Sequence, residues 1–381
     1  MNKKLIFFGG TFDPPHAEHV AMVKACSEEL KPDKIIIMPT FIPPHKKTFM
    51  TASPTQRLEM CKIAFSEIEN VEVSSWELEK RGKSYSYLTM EYLAKRYEGY
   101  NIFFLMGTDM LSSFYTWKNP NLILKYATPL LCVRSGEGES AEQTVGEFKT
   151  KFSKGVECLN YVGNAVSSTD VKIKKLLRLS TENTLTDTVE EYLDRFLLYD
   201  GGKLSKFLNE NLTKERLIHT KGVISLSIKY AKKLGVDLNK TVVSAMLHDV
   251  AKYLNPNDYK DFKMPKGVPN PVKHQYLGAY IAEKELGIKN KEILNAIRYH
   301  TSGKPRMSKL GKIIFTADIL EEGRSFNGVK EMREISLQDF DKGFLIALER
   351  CLEYLVIRNE KIYYLTQSAY DYYINLNEIS K

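Results

Sequence analysis

Leu5-Ile6-Phe7-Phe8-Gly9-Gly10-Thr11-Phe12-Asp13-Pro14-Pro15-His16-Ala17-Glu18-His19 decides the fold class. Its first four residues are apolar without alternation, the mark of a strand covered on both faces in a parallel sheet. Gly9 and Gly10 allow a sharp turn and a close approach of backbone to ligand. Pro14 and Pro15 keep the next loop extended and set proline near a helix start. His16 and His19, three apart, share one face of that helix's first turn. Strand, glycine turn and helix N-terminus form the arrangement that receives phosphate at the switch point of an open α/β sheet. Two imidazoles there would add donors for a triphosphate.

Outward from this stretch, strand-like runs recur at Lys34–Met38, Val71–Ser74, Ile102–Leu105, Pro129–Val133 and Val156–Tyr161, with helical stretches between them. That alternation predicts a doubly wound, Rossmann-like parallel sheet over residues 1–199. One helix start is well marked: Ser53 can cap, Pro54 suits the first position, and Gln56 completes a capping box. Its apolar face is expected at Leu58, Cys61, Phe65 and Ile68. Asp200-Gly201-Gly202-Lys203 reads as a boundary. Beyond it helical periodicity dominates from Leu204 to Tyr373, so residues 203–381 are expected to form an all-α domain. No internal repeat or low-complexity tract is apparent.

Bulk properties narrow the class. The chain has 381 residues, enough for two domains, with 43% hydrophobic and 27% charged residues. No apolar run approaches the ~20 residues that span a membrane. The N-terminal segment is too weakly apolar for a signal peptide. Five scattered cysteines include no Cys-x-x-Cys pair, so neither a zinc knuckle nor a disulfide framework is indicated. A cytoplasmic protein with no membrane attachment is expected. Residues 1–200 hold 25 Lys+Arg and 26 Asp+Glu, whereas 201–381 hold 30 and 21. The basic second half suits a small polyanion; without a basic stripe or an RNA-binding signature, nucleic acid is not expected.

Further segments follow in order. Ile42-Pro43-Pro44-His45-Lys46 places His45 and Lys46 on a loop at the carboxyl end of the second strand. Ser84-Tyr85-Ser86-Tyr87-Leu88-Thr89 opens a helix. Gly107-Thr108-Asp109 follows a buried strand, where a carboxylate can bind ribose hydroxyls, and Trp117 can stack on a flat heterocycle. Ser167-Ser168-Thr169, then Lys172, start a helix whose hydroxyls and N–H groups suit an anion. As an ordered set over about 200 residues, these segments resemble the nucleotidylyltransferase superfamily, most closely the bacterial nicotinate mononucleotide adenylyltransferases. The resemblance implies that Gly9, Gly10, Thr11, Phe12, His16, His19, Gly107, Asp109, Ser167, Ser168, Thr169 and Lys172 bind ATP with Mg2+. It implies that Asp13, His45, Lys46, Ser86 and Trp117 bind nicotinate mononucleotide, and that His16, His19 and Lys46 act in catalysis. Three positions depart from the family pattern. Glu18 replaces a glycine and, lying about 200° around the helix from His16, is expected to point away. Leu88 replaces an aspartate. Lys172 replaces an arginine, keeping the charge but losing the bidentate fork.

Four of the seven histidines fall in the second half, at 219, 248, 274 and 300, each on a different predicted helix region, and His248 is followed by Asp249. Imidazoles and carboxylates from separate helices suit a divalent transition metal. The pattern resembles the HD phosphohydrolase superfamily. There His219, His248, Asp249 and Asp318 match the metal quartet, and His274 and His300 the extra ligands of the two-metal branch, with Asp249 bridging and assigned to catalysis. Ile218-His219-Thr220 with Gly222-Val223, Arg298-Tyr299-His300-Thr301-Ser302-Gly303 and Ala317-Asp318-x-x-Glu321 are similar to the branch that splits diadenosine tetraphosphate symmetrically into two ADP. Two metals, iron or manganese, are implied. Lys252, Lys304, Arg306 and Arg324 are candidates to neutralise phosphates.

The expectation is a bifunctional enzyme. The first domain transfers AMP from ATP to nicotinate mononucleotide, giving deamido-NAD and pyrophosphate, and the second hydrolyses diadenosine tetraphosphate. Alternatives are nicotinamide mononucleotide or phosphopantetheine as acceptor, a regulatory or nucleic-acid-binding role for the HD domain, or another nucleotide phosphohydrolase activity. Oligomeric state stays open.

Overall fold

A computed structural model describes residues 3–42 and 49–379. The chain divides into two compact units. The first takes most of the chain up to Lys172 together with Ser180–Tyr199; the second takes Ile173–Leu179 and the chain from Asp200 on.

In the first unit the strands are β1 (Lys3–Gly10), β2 (Lys34–Pro39), β3 (Val71–Val73), β4 (Tyr100–Gly107), β5 (Ala127–Arg134) and β6 (Glu157–Gly163). Between and after them run α1 (Ala17–Leu30), α2 (Pro54–Ala64), α3 (Trp76–Lys80), α4 (Ser86–Arg96), α5 (Thr108–Ser113), α6 (Pro120–Tyr126), α7 (Gly138–Phe152), α8 (Ser168–Leu177) and α9 (Asp187–Arg195). The sheet order is β3-β2-β1-β4-β5-β6, with every pair parallel. Leu5, Ile6, Phe7 and Phe8 are all buried, as the unbroken apolar run requires. The order reverses between β1 and β4, whose Phe7 and Phe104 pair in register. The carboxyl ends of these strands, Gly10 and Gly107, therefore flank the crevice where such sheets take ligands.

The capping box on α2 forms as expected, with Ser53 and Gln56 exchanging backbone hydrogen bonds. Its buried face differs from the apolar pattern. Arg57, Met60, Cys61 and Ala64 are buried while Leu58 is only half-buried. The arginine turns inward because two backbone carbonyls await its guanidinium, as described below.

The second unit is helical: α10 (Lys203–Asn211), α11 (Lys214–Leu234), α12 (Leu238–Leu247), α13 (Lys273–Lys284), α14 (Lys291–Arg298), α15 (Lys309–Leu320), α16 (Val329–Gln338), α17 (Phe340–Ile357) and α18 (Tyr364–Ile379). One continuous apolar core joins α11, α12, α14, α15 and α17, and takes in Phe49, Ile173, Leu176 and Leu177 as well. Among the described residues, no helix is long and apolar enough to cross a membrane.

Candidate active site and metal centre

In the first unit a cleft opens at the switch point. Gly9, Gly10, Thr11, Ser86, Asp109 and Trp117 all line it, alongside Thr40, Glu77, Ser84, Tyr85 and Lys118. Glycine is required at the turn by space: a Cβ on Gly9 would lie 2.6 Å from the Phe7 ring, and one on Gly10 3.1 Å from the Phe12 ring. Trp117 leans on Phe104 and Phe114, with ring centroids 5.9 and 5.0 Å away. Its indole is thus held on an aromatic base while remaining part of the cleft wall. Tyr85, the N-cap of α4, makes no side-chain cap bond, so the first N–H groups of that helix have no side-chain acceptor from it.

His16 and His19 build the start of α1. His16 N–H donates to His19 Nδ1 at 3.1 Å, and His19 N–H donates to His16 Nδ1 at 3.4 Å. The rings stack 3.5 Å apart at 19°. This is a capping box made by imidazoles. Because each Nδ1 accepts from backbone, each neutral ring carries its proton on Nε2; His16 is buried and His19 half-buried. Neither histidine is among the residues lining the cleft; their place is the adjoining helix start. Ser168 hydroxyl donates to Pro14 O at 2.8 Å, and Ser167 caps α8 by accepting from Asp170 N–H at 3.1 Å. The Ser167–Thr169 turn is thereby tied to the proline loop ahead of His16. Gly107 is the N-cap of α5.

Three expected residues fall elsewhere. Phe12 is buried, stacked edge-on against Phe8, Phe65 and His19, so its side chain supports the histidine and does not meet nucleotide. Asp13 and Lys172 are both buried and form an ion pair with each other. Asp13 also accepts from Ala52 N–H at 3.0 Å and Tyr199 hydroxyl at 2.6 Å. Both side chains are thus engaged within the framework of the first unit. Burial and the Asp13 charge push the Tyr199 phenol well up. His45 and Lys46 lie outside the described residues.

Glu18 points to β6. It is buried and accepts from Tyr161 hydroxyl at 3.1 Å. Burial, with this carboxylate beside it, pushes the Tyr161 phenol up to about 12. A Cβ on Gly163 would collide with the Glu18 carboxylate. Leu88 is half-buried and carries no polar role, while its neighbour Thr89 donates to Glu77 Oε1 at 2.6 Å. Sequence reasoning missed Arg57. Its guanidinium donates to Thr11 O at 2.8 Å and Phe41 O at 3.0 Å, joining the loops that leave β1 and β2. Its position on a helix face, between Ser53 and Cys61, gave it the look of a surface charge.

In the second unit, six residues converge from five helices or their ends. His219 comes from α11, His248 and Asp249 from the end of α12, His274 from α13, His300 from just past α14, and Asp318 from α15. His219 Nε2 lies 3.0 Å from Asp318 Oδ1 and 3.3 Å from His248 Nε2. His274 Nε2 lies 3.0 Å from Asp249 Oδ1 and 3.1 Å from His300 Nε2. His219, His248 and Asp318 thus form one group able to hold a cation, and Asp249, His274 and His300 a second. Asp249 faces both: its Oδ2 is 3.6 Å from His248 Nε2, and its Oδ1 is 3.4 Å from His300 Nε2.

The outer partners fix the ring tautomers. His248 Nδ1 donates to Ala245 O at 2.6 Å, and His300 Nδ1 donates to Ile297 O at 2.8 Å. His219 Nδ1 meets Glu321 Oε1 at 3.1 Å. Each Nε2 is then a lone pair turned inward, as in metal sites with carboxylate or carbonyl second partners. A lone pair from His300 Nε2 aimed at a carboxylate oxygen is repulsive unless a cation intervenes. Asp249 Oδ1 is buried without a hydrogen-bond partner, which is the condition of a ligand atom. The donor set fits divalent metal ions. Burial drives His248 down to about 3. Burial would raise the Asp249 and Asp318 carboxyls, but the surrounding imidazoles outweigh it and hold both well below the carboxylate range. Gly222 is demanded by this outer layer, since a Cβ there would strike Glu321.

Cations ring the centre. Arg216 Nη1 donates to Asp249 Oδ2 at 2.8 Å, Arg324 Nη2 to Asp318 Oδ1 at 2.9 Å, and Lys252 Nζ lies 3.5 Å from Asp249 Oδ1. Lys252 and Arg324 thus both lie against carboxylates of the cluster. Lys304 instead lies over the Tyr299 ring, 5.3 Å from its centroid, and Arg306 is in a turn with φ of 55°. Neither has a recorded contact with the metal ligands.

Comparison with known proteins finds a different family in each half of the chain. Residues 7–174 match the cytidylyltransferase-like family model and residues 216–323 the HD domain model. A symmetrical bis(5'-nucleosyl)-tetraphosphatase of Bacillus subtilis is 34% identical over 44% of this chain and 94% of its own length. A probable nicotinate-nucleotide adenylyltransferase of Clostridium tetani is 36% identical over 45% of this chain and 88% of its own. A Mycoplasma genitalium protein named as a probable nicotinate-nucleotide adenylyltransferase/Ap4A hydrolase is 26% identical over 92% of this chain and 98% of its own.

Proposed function

Because the chain belongs to the nicotinate-nucleotide adenylyltransferases over its first half and to the symmetrical bis(5'-nucleosyl)-tetraphosphatases over its second, we propose that it carries both activities. The first transfers AMP from MgATP to nicotinate mononucleotide. The observation that supports it is the single cleft lined by Gly9, Gly10, Thr11, Ser86, Asp109 and Trp117. A phosphate oxygen of the mononucleotide attacks the α-phosphorus of ATP, and pyrophosphate leaves; no covalent enzyme intermediate is needed. The chain's contribution is position and charge. Trp117 stacks on the pyridine ring, the N–H groups at the start of α4 receive its carboxylate, and Asp109 takes ribose hydroxyls. The Nε2–H groups of His16 and His19 donate to the triphosphate, assisted by the Ser167–Thr169 turn. His45 and Lys46 remain assigned to the mononucleotide.

The second activity hydrolyses diadenosine tetraphosphate to two ADP. It is supported by the two ligand groups sharing Asp249. Two divalent cations held there, iron or manganese, would acidify a shared water and draw charge from the attacked phosphoryl group. Arg216, Lys252 and Arg324 neutralise the remaining phosphates, exchanging their present carboxylate partners for phosphate oxygens.

Both reactions are to be assayed on the full chain, with products resolved and metal content measured. ADP alone is the expected hydrolysis product; AMP plus ATP would reject symmetric cleavage. Asp249→Ala should remove metal and hydrolysis together and leave adenylyl transfer unchanged. Loss of both reactions in a folded Asp249→Ala protein would reject two separate sites.

A further inference from the structure

The hydrolase reading accounts for the phosphate chain of its substrate but leaves the nucleoside ends without a seat. Tyr253 supplies an exposed aromatic group close to the centre. It follows Asp249 by four residues, in the turns that continue from α12. Unlike most tyrosines of this unit it is exposed, with 56% of its surface accessible. The Thr213 side chain and the Arg216 guanidinium favour its ionised phenol and lower its pKa. Arg216 in turn donates to Asp249 Oδ2. Tyr253 is therefore one guanidinium away from the bridging ligand, with more than half of its surface open to solvent. Tyr299, the other tyrosine beside a metal ligand, has its ring covered by Lys304 and lies near the Tyr276 ring.

An exposed ring close to a phosphohydrolase centre offers a flat apolar face, and a flat apolar face is what a nucleobase stacks on. Base–aromatic stacking is worth about 1–3 kcal/mol per base and tolerates any base, because every base has a π-face. We propose that the Tyr253 ring is a nucleobase subsite of the hydrolase, stacking on one purine of the dinucleoside polyphosphate while Arg216 addresses the neighbouring phosphate. This rests on the hydrolase reading above. It explains how the same metals would prefer a dinucleoside polyphosphate to a bare inorganic one, and it makes Tyr253 a binding residue rather than a metal-ordering one.

The test compares wild type, Tyr253→Ala and Tyr253→Phe as full-length, manganese-loaded enzyme. It reads hydrolysis of diadenosine tetraphosphate and inhibition of that hydrolysis by ADP and by inorganic pyrophosphate. Monitoring hydrolysis keeps nucleotide binding at the first site out of the readout. Tyr253→Ala should weaken ADP inhibition about ten-fold, within the range expected for one lost stack. It should raise KM in parallel, and leave pyrophosphate inhibition and metal content unchanged. Tyr253→Phe, which keeps the ring, should stay within about two-fold of wild type. Equal weakening of ADP and pyrophosphate, no weakening of either, or a phenylalanine variant as impaired as the alanine one would each overturn the subsite. A wild-type enzyme that does not hydrolyse the dinucleotide would reject the hydrolase reading itself, and the subsite with it.

Discussion

Glu77 shows how a single buried group sets a pH dependence. Only 6% of its surface is accessible; Oε1 accepts from Thr89, and Oε2 has no partner at hydrogen-bond distance. Burial raises its pKa above the ordinary 4.5, against the opposing pull of Ser84, Thr89, Lys80 and Arg57. The folded state then holds the proton more tightly than the unfolded one. The destabilisation is absent below the unfolded value, grows as pH rises from there through the folded value, and is complete above it. Glu77→Gln, which can still accept from Thr89, should therefore raise the melting temperature at pH 7.5 and leave it nearly unchanged at pH 4. The gain should be about 2–4 °C for each kcal/mol recovered. Thermal melts at the two pH values check this; an equal shift at both would mean that ionisation of Glu77 is not the source.

At the scale of one element, α1 combines two duties in the same residues. His16 caps the helix and, by giving its Nδ1 to backbone, keeps its proton on Nε2. The duties can be separated. Asparagine is a strong N-cap but lacks the reach of the distal ring nitrogen. His16→Ala should lower adenylyl transfer by ~10² or more, the scale for losing a charge-stabilising donor. His16→Asn should lose as much activity while retaining more thermal stability than the alanine variant. A His16→Asn enzyme of near-normal turnover would assign the histidine to capping alone. The elements themselves were largely legible. Six strand-like runs marked six strands; in β1, β2 and β4 consecutive buried residues leave an unbroken apolar signal. The metal ligands were legible as residue types, since buried imidazoles in number have few other uses. What escaped was partnership. Nothing in the order of residues says that Lys172 meets Asp13, that Arg57 faces inward, or that Gly222 makes room for Glu321. Each depends on which backbone or carboxylate another element brings alongside.

At the scale of the whole molecule, the second unit begins earlier than its first own helix. Ile173, Leu176 and Leu177 are buried in its core. Leu176 O accepts from Ser205 hydroxyl, and Leu177 O from Asn209 Nδ2 at 3.1 Å. The glycine pair at 201–202 is a break in the helices, but a fragment cut there leaves three core side chains behind. Each fully buried aliphatic side chain contributes about 1.5–3 kcal/mol. A fragment of residues 203–381 should melt several degrees below one of residues 173–381, with the longer fragment retaining metal more firmly. Melts of the two fragments, with metal content after dialysis, decide the point; equal stability would place Ile173–Leu179 outside the folding unit.

The contact between Glu18 and Gly163 carries an implication about history. With glutamate at 18, a side chain at 163 would displace the carboxylate from its Tyr161 partner; with a smaller residue at 18, position 163 gains room. Substitutions at the two sites are therefore easier in one order than in the other. A lineage that first shortens residue 18 can afterwards vary residue 163, whereas a lineage that begins at 163 meets the carboxylate and loses stability. The two positions, 145 residues apart in sequence, constrain one another's mutational paths, and the order of past substitutions decides which residue stands beside the histidines.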